Sequence, residues 1–331
     1  MNTILEKKFE LALGFNRPPL GQFQKVNNTN TFFGMNAALW IGVTGPVIAR
    51  TGFIIEISQF KQILKKNVID KYDHHFFDGL CEKEMFLNLI ESTKQCFKTC
   101  FPSLKLHHIQ LITPSGIHYL FNHEEHSIKV KVDLSEKLKL KKSVVIDYEK
   151  SNKKLISENV AQLRDYSINK NDKQFPSISE ELNWLNSKFD ALCIINLNYN
   201  NESMDNQRNR VLFSSTSFSG VHQLVNKNMT ILESDEIFGK CAALHGHDFS
   251  LKVVVKNSGK DTTTELKKVM GLIYSELNGQ NYNELPIFKD QVCTCENMLH
   301  FIWQFIKKRS KIELQSLRLT ETFNNRFIIT R

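Results

Sequence analysis

The stretch KCAALHGHDF at residues 240–249, followed by an apolar run at residues 251–255, is the strongest indication of the fold and the function of this chain. Successive side chains of a β-strand point to opposite faces, so His245 and His247, two positions apart, share one face. The glycine between them leaves the crowded backbone conformationally free. Neutral imidazoles on one face are ligands that zinc prefers. The sequence therefore predicts a β-strand that carries part of a zinc site.

Cys241 lies four residues before the first of these histidines. A zinc ion close to a thiol lowers the pKa of that thiol, and a thiolate can act as a base or a nucleophile. The order Cys-x3-His-Gly-His-x-aromatic, leading into a β-rich segment, is much more specific than a lone His-Gly-His. The competing interpretation is that the histidines are ordinary strand residues and that Cys241 is a small buried apolar residue.

The charge of the chain favours an anionic partner. The chain has 331 residues, enough for two domains, and a formal net charge of +8. Such a charge suits a polyphosphate metabolite or nucleic acid, although a lysine-rich solvated surface explains it equally well. The sequence contains no nucleic-acid-binding motif and no repeat of basic and aromatic residues. We therefore expect a small-molecule partner, and neither nucleic acid nor a membrane.

The cysteines and the amino-terminal sequence bear on the cellular compartment. Seven cysteines, an odd number, form no zinc-finger spacing, which favours free thiols in a reducing compartment. The first residues lack the pattern of a signal peptide, and no apolar run approaches the roughly 18 residues of a membrane span. The sequence therefore predicts a soluble, cytoplasmic protein.

Residues 206–331 are predicted to form one α+β unit with the element order β-β-α-α-β-β. Apolar residues at helical spacing predict the two helices, and a polar loop is expected at residues 225–233. The predicted elements are strands at 210–219 and from His245 onward, helices at 265–277 and 295–306, and strands at 316–321 and 326–330.

Residues 1–123 repeat this order, and FGMN at residues 33–36 occupies the place that HGHD holds at 245–248. The predicted elements are strands 8–13, 37–44 and 51–57, helices 60–69 and 83–98, and strands 105–112 and 118–121. The sequence therefore predicts a tandem duplication with diverged halves. Residues 124–205 are predicted to be a partly structured insert with strands at 144–146 and 191–197 and a helix at 179–188.

The carboxy-terminal pattern resembles the 6-pyruvoyl-tetrahydropterin synthase / 6-carboxytetrahydropterin synthase family over most of residues 206–331. The resemblance implies the tunnelling fold (T-fold), in which each unit is an antiparallel four-stranded sheet with two helices. It implies Zn²⁺ as the cofactor, with His222, His245 and His247 as its ligands. It also implies that Cys241 is the catalytic base and that Glu321, near the end of the chain, anchors the pterin ring. The competing interpretation of Glu321 is a surface strand residue.

The family also uses an Asp-His pair after the first helix, and the two halves differ at this place. The carboxy-terminal half has Asn278 and Gly279 there, whereas the amino-terminal half has Asp73 and His74. The competing interpretation of Asp73 and His74 is a helix C-terminus, where histidine is favourable. His75, which follows the pair, is interpreted as structural.

The metal positions show the opposite loss. The amino-terminal half has Phe33 and Met35 in place of the paired histidines, and Phe15 or Asn16 in place of the first histidine. In the family, the cysteine and the Asp-His pair come from different subunits. The resemblance therefore implies an active site divided between the two halves, to which the amino-terminal half contributes a proton-shuttling histidine held by its aspartate.

The resemblance implies a carbon–oxygen/carbon–carbon lyase that acts on 7,8-dihydroneopterin triphosphate. The short Cys-x3-His spacing is similar to the 6-carboxytetrahydropterin synthases of deazaguanine (queuosine-type) biosynthesis. Two alternatives stay open, namely a 6-pyruvoyl-tetrahydropterin synthase on the same substrate and a zinc- and pterin-binding pseudoenzyme. A metallohydrolase is disfavoured because Asp248 is followed by Phe249 and not by another histidine. Family rings contain three units, so a trimer of tandem chains is the expected homo-oligomer.

Overall fold

The computed structural model describes residues 2–17, 33–134, 142–152, 156–169, 178–199, 202–205 and 210–331, and the predicted border at residue 206 lies outside these ranges. The strands are β1 (Asn2–Phe15), β2 (Phe33–Thr44), β3 (His75–Phe77), β4 (Lys105–Ile112), β5 (Ile117–Asn122), β6 (Ser127–Leu134), β7 (Lys142–Asp147), β8 (Cys193–Tyr199), β9 (Glu202–Asp205), β10 (Arg210–His222), β11 (His245–Lys256), β12 (Gln280–Asn281), β13 (Leu314–Thr322) and β14 (Asn325–Thr330). The α-helices are α1 (Ile57–Asn67), α2 (Glu82–Cys100), α3 (Ile156–Asn169), α4 (Ile178–Lys188), α5 (Ile231–Phe238), α6 (Lys260–Leu277) and α7 (Cys295–Arg309).

The chain divides into two compact units that are interleaved along the sequence. Unit 1 consists of Met1–Lys7, Val43–Phe60 and Val211–Arg331, and unit 2 consists of Lys8–Gly42 and Lys61–Arg210. Both units contain sheet and helix, so the predicted α+β class is confirmed. The predicted domain borders 1–123, 124–205 and 206–331 were drawn on sequence order and stay a prediction.

In unit 1 the strands follow the order β12-β10-β11-β13-β14-β1, where β1 contributes residues 2–7. The neighbours are antiparallel, except that β12 pairs with β10 in parallel. Helix α7 packs against β13 and β14, and α6 packs against α7. The predicted order β-β-α-α-β-β is therefore present at β10, β11, α6, α7, β13 and β14.

Strand β11 shows how this sequence positions the histidines. Phe249, Leu251 and Val253 are fully buried, and the residues between them are more exposed, as the period of two requires. His245 and His247 have the same parity as these three residues. They therefore lie on the core-facing side of β11, at its amino-terminal end.

In unit 2 the strands follow the order β3-β1-β2-β4-β5-β6-β7-β8-β9. The first five correspond, element by element, to β12-β10-β11-β13-β14 of unit 1, and α2 packs against β4 and β5 as α7 packs against β13 and β14. The predicted insert extends the sheet through β6, β7, β8 and β9. Helix α3 contacts β6, and α4 contacts β8. The predictions for the insert did not include α3, β6 or β9.

The predicted strand at residues 51–57 is wrong. The carbonyl of Ile48 accepts hydrogen bonds from the amides of Thr51 (3.1 Å) and Gly52 (2.7 Å), which closes a turn. Gly52 has a φ of +73°, a left-handed conformation that excludes a continuous strand. Glu56 then accepts from the amide of Ser58 at 2.8 Å at the start of α1. Local turn and cap bonds replace the strand.

The predicted loop at residues 225–233 is wrong at its end, because α5 begins at Ile231. The Thr230 side chain accepts from the Glu233 amide, and the Glu233 carboxylate accepts from the Thr230 amide, which is a capping box. The Ser/Thr-x-x-Glu signal for this helix was present in the sequence. Within the described ranges, no helix has the length and apolar character needed to cross a membrane.

Candidate functional site

Three histidines of unit 1 converge at the paired ends of β10 and β11. His222 is the last residue of β10 and pairs with His245 across the ladder, whereas His247 pairs with Gly220. Each histidine offers one ring nitrogen, and these three atoms lie within 4.8 Å of one another. The structure thus brings together all three residues that were predicted to bind zinc.

Hydrogen bonds orient two of the rings for ligation. The Nδ1 atom of His222 donates to the carbonyl of Cys293 at 2.9 Å, and that of His245 donates to the carbonyl of Ala243 at 2.7 Å. A proton on Nδ1 leaves the Nε2 lone pair free, which is the arrangement of many metal-binding histidines.

His222 is 1% exposed, and its Nε2 atom is buried without a hydrogen-bond partner. Burial lowers the pKa of His222 and of His247, which favours the neutral imidazole that a metal ion binds. A buried unpartnered nitrogen is unfavourable unless something binds it. The donor set therefore fits a metal ion with three histidine ligands and an open position.

Cys241 lies on the 3₁₀ helix Gly239–Ala242, between α5 and β11. The residue is exposed, but neighbouring atoms partly desolvate its thiol. This desolvation, together with the carboxylates of Glu321 and Glu56, raises the pKa of the Cys241 thiol. The thiol therefore needs a nearby cation before it can act as a thiolate at neutral pH.

Glu321, near the end of β13, lies beside two of the three histidines. Its Oε1 atom lies 3.9 Å from Nε2 of His222 and 3.8 Å from Nε2 of His247. The same oxygen accepts from the thiol of Cys295 at 3.3 Å. Burial raises the pKa of Cys295 far above its usual range, so this thiol stays a hydrogen-bond donor.

Asp73 and His74 lie in unit 2, immediately before β3. Nδ1 of His74 is 3.0 Å from Oδ1 of Asp73, and that oxygen accepts from the amide of Ala12 at 2.9 Å. Burial would raise the pKa of Asp73, but the bonds from Ala12 and His74 outweigh it and lower the pKa. The side chain of His74 is 81% exposed. The aspartate thus holds an imidazole that is open to solvent.

The two units contain pockets of the same construction. Residues 219–221, 246–248 and 279–281 line a pocket of about 580 Å³ in unit 1. In unit 2, residues 12–14, 34–36 and 74–76, with Pro114, line one of about 630 Å³.

The strand register identifies equivalent positions in these two pockets. Gly220 pairs with Gln280, and Leu13 pairs with His75, so Leu13 is equivalent to Gly220. Two residues further along the same strands, Phe15 is equivalent to His222. Of the two residues predicted for that place, Phe15 and not Asn16 therefore occupies it.

Asn278 and Gly279 repeat a hydrogen bond and a left-handed backbone conformation of Asp73 and His74, but neither of them is ionisable. The side-chain oxygen of Asn278 accepts from the Ser219 amide at 3.1 Å, as Asp73 accepts from Ala12. Gly279 has a φ of +74° and His74 a φ of +60°. A left-handed conformation is unfavourable for histidine and free for glycine. Unit 2 thus has a histidine with a strained backbone conformation at the position where unit 1 has an unstrained glycine.

Comparison with known proteins identifies the family. The sequence profile described as 6-pyruvoyl tetrahydropterin synthase matches residues 211–331. The 6-pyruvoyl tetrahydrobiopterin synthase of Dictyostelium discoideum is 32% identical over 132 residues, which are 38% of this chain and 97% of that protein. The chain belongs to the 6-pyruvoyl tetrahydropterin synthase family.

A further relative agrees with this family, and one solved structure of a 6-pyruvoyl tetrahydropterin synthase is similar to part of the chain. The 6-pyruvoyl tetrahydrobiopterin synthase of Homo sapiens is 35% identical over 120 residues, covering 33% of this chain and 83% of that protein. The structure of the Caenorhabditis elegans 6-pyruvoyl tetrahydropterin synthase covers 37% of this chain and 94% of its own, at 26% identity and a TM-score of 0.35. The predictions of the family and of a synthase-family lyase are confirmed.

Glu296, on the first turn of α7, is a buried carboxyl that was not predicted as a site residue. Glu296 is 1% exposed, and burial raises its pKa to about 8. Its Oε1 accepts from the amide of Ile54 at 3.3 Å. The neighbouring Thr294 donates to the carbonyl of Gly52 at 2.9 Å. The misassigned segment 51–56 therefore lies within unit 1, against the start of α7.

A second set of contacts holds the same segment. Arg50 forms an ion pair with Glu233 at 3.0 Å, and the rings of Phe53 and Phe238 meet edge to face at 5.6 Å. The segment between β11 and α6 is short, with three residues between Lys256 and Lys260. The equivalent segment between β2 and α1 is longer. It runs from residue 45 to residue 56 and belongs to unit 1. The sequence signal for this arrangement was the length of the segment, which is long in the amino-terminal half and short in the carboxy-terminal half.

Proposed function

We propose that this chain is a zinc-dependent tetrahydropterin synthase that acts on 7,8-dihydroneopterin triphosphate. The observation that carries the proposal is the convergence of three histidine nitrogens, of which the buried Nε2 of His222 has no partner. Family membership supports the substrate class, because the named relatives are synthases of pterins.

His222, His245 and His247 are the residues that would hold the metal. A zinc ion on these nitrogens would supply a Lewis acid for the side-chain oxygens of the substrate and a charge that favours the Cys241 thiolate. Glu321 is proposed as the substrate anchor, and its carboxylate position beside two of the histidines would place the bound pterin next to the metal-binding residues.

Cys241 and His74 are proposed to move protons in the reaction. The Cys241 thiolate would take a proton from a carbon of the substrate side chain as a general base. Asp73 bonds Nδ1 of His74, so Nε2 of the imidazole is the atom that would exchange a proton with a side-chain oxygen. The triphosphate would leave with the electron pair of its carbon–oxygen bond. This division of roles requires groups from both units.

The same division supports a tandem duplication. The equivalent pockets, the equivalent strand orders and the retained left-handed residues His74 and Gly279 favour two copies of one ancestral unit. One copy keeps the metal-binding histidines, and the other keeps the Asp-His pair. We propose that a trimer of tandem chains joins them. All seven cysteines are free thiols, which supports the proposed cytoplasmic location.

The product distinguishes two candidate activities. The relatives are named for a 6-pyruvoyl product, which favours that product here. The Cys-x3-His spacing between Cys241 and His245 is the observation that favours a 6-carboxy product and the queuosine-type pathway. Both candidates share the substrate, the metal and the proposed proton-transfer residues.

The deciding experiment is to incubate the zinc-loaded protein with 7,8-dihydroneopterin triphosphate and to identify the product by mass spectrometry. We expect release of triphosphate and one of the two tetrahydropterins. Cys241→Ala and His74→Ala should abolish turnover, whereas the matched neighbour His75→Ala should retain it. Zinc binding and pterin retention without turnover would establish a binding protein instead of an enzyme.

Mixing the two inactive variants tests how the site is divided. If Cys241 and His74 act together from different chains, hetero-oligomers of Cys241→Ala and His74→Ala contain some intact sites and regain activity. If they act together within one chain, each mixed site keeps one defect and activity stays absent. Full activity of His74→Ala alone would refute the proposed role of unit 2.

A further inference from the structure

Unit 2 contains a second kind of cavity that the proposed synthase chemistry does not use. It has a volume of about 670 Å³ and shares no lining residue with either pocket described above. Its walls come from the last turns of α2, the start of β4 and the turn between β5 and β6. Its volume lies within the range of small-molecule sites, which is about 300–1,000 Å³.

The wall of this cavity is apolar and aromatic. Phe97, Phe101 and Leu106 line it and are 5%, 3% and 4% exposed. The rings of Phe97 and Phe101 lie with their centroids 5.2 Å apart. Because Phe97 and Phe101 are nearly buried, they offer a ligand an apolar surface and not an open ring face. Such a surface suits the apolar part of a small molecule.

The rim of the cavity is cationic. Lys98 and Lys105 are exposed, and neither has an acidic partner within the described ranges. Lys94, the third lysine of the lining, forms an ion pair with Glu91 at 2.7 Å. The carboxylate in the lining is that of Glu124, which is exposed. Lys98 lies in the last turn of α2, where a lysine stabilises the helix. Lys105 lies outside α2, so stabilisation of this helix does not explain its place beside the cavity.

Two histidines add hydrogen-bonding capacity on one side. The Nδ1 atom of His123 is buried and has no hydrogen-bond partner, and the His123 and His126 rings lie 5.4 Å apart. His126 has a φ of +48° in the turn between β5 and β6. Non-glycine residues in this conformation are uncommon and often occur at ligand sites. His126 is exposed, so its imidazole can donate to a phosphate oxygen.

We propose that this cavity binds a small phosphorylated compound with an aromatic ring, of the nucleotide class. The ring would lie against the apolar wall, and the phosphates would bind the exposed side chains of Lys98, Lys105 and His126. The inference does not depend on the synthase activity, because none of these residues belongs to the proposed catalytic site.

Calorimetric titration of the full chain with ATP tests the proposal. We expect ATP to bind, and adenosine and tripolyphosphate, which each lack one half of the ligand, to bind at least about tenfold more weakly. The double variant Lys98→Glu/Lys105→Glu should weaken ATP binding by at least about tenfold, since a hydrogen bond to a charged group contributes about that factor. The matched control Lys61→Glu/Lys66→Glu, which changes the charge of unit 2 equally on α1, should leave it unchanged.

A third variant separates binding from folding. Asparagine tolerates the left-handed conformation, so His126→Asn should keep the melting temperature and still weaken ATP binding. Failure of the natural protein to bind ATP would overturn the proposal. Equal weakening by the two lysine double variants, or equal affinity for ATP and tripolyphosphate, would also overturn it by showing a response to charge alone.

Discussion

Replacing Glu296 with glutamine is expected to remove a pH dependence of stability that we predict for the natural chain between about pH 4.5 and pH 8. Glu296 is buried at the start of α7, and its Oε1 accepts from the amide of Ile54. Glutamine keeps the shape of the side chain and an oxygen that can accept the same bond. It does not titrate, so the substitution isolates the ionisation of the carboxyl group.

The size and sign of this effect follow from the pKa. Burial raises the pKa of Glu296 from 4.5 to about 8, and at about 1.36 kcal/mol per pH unit this corresponds to on the order of 5 kcal/mol. Between these pH values the folded chain keeps a proton that the unfolded chain releases. The free energy of unfolding should therefore fall as the pH rises through this window. The contribution that protonated Glu296 makes at pH 4.5 should be lost by about pH 8.

Urea unfolding at a series of pH values, followed by far-UV circular dichroism, measures this slope. We expect Glu296→Gln to have the shallower slope and to be the more stable protein at pH 8. The matched control is Glu276→Gln on α6, where the side chain is exposed, and its slope should equal that of the natural chain. Equal slopes for all three proteins would refute the reasoning, because they would show that Glu296 titrates as an exposed carboxyl.

Three further predictions concern the candidate metal ligands and the backbone around the two pockets. His247→Ala should lower the zinc content per chain measured by plasma mass spectrometry, whereas His75→Ala should retain it; equal zinc contents would contradict the assignment of the ligands. Gly220→Ala should destabilise the fold by about 1–3 kcal/mol, because its Cβ would lie 2.3 Å from the ring of Tyr282. Gly271→Ala, in the middle of α6 with no atom near its Cβ, should instead stabilise by roughly 0.5–1 kcal/mol, and equal urea midpoints for the two glycine variants would contradict this. His74→Gly should stabilise by about 1 kcal/mol, since the residue is left-handed, and should abolish turnover; a less stable variant would show that His74 is not strained.

The pattern of β11 explains why its part of the fold could be predicted. Alternate burial of Phe249, Leu251 and Val253 is a local property of a strand, and the histidines continue the same period. The helical spacing in α6 and α7 is equally local. The segment 51–56 could not be predicted in the same way, because its bonds to Thr294 and Glu296 join residues far apart in the sequence.

The sequence by itself determined the α+β class, the repeated element order and the identity of the three candidate zinc ligands. The class and the element order depend on periodicity, whereas the three ligands were identified from the resemblance to the synthase family. The tertiary structure decided that Phe15 replaces the first histidine, since only the pairing register equates Leu13 with Gly220. It also decided the raised pKa of Glu296, because burial of a carboxyl depends on which distant segments pack around it.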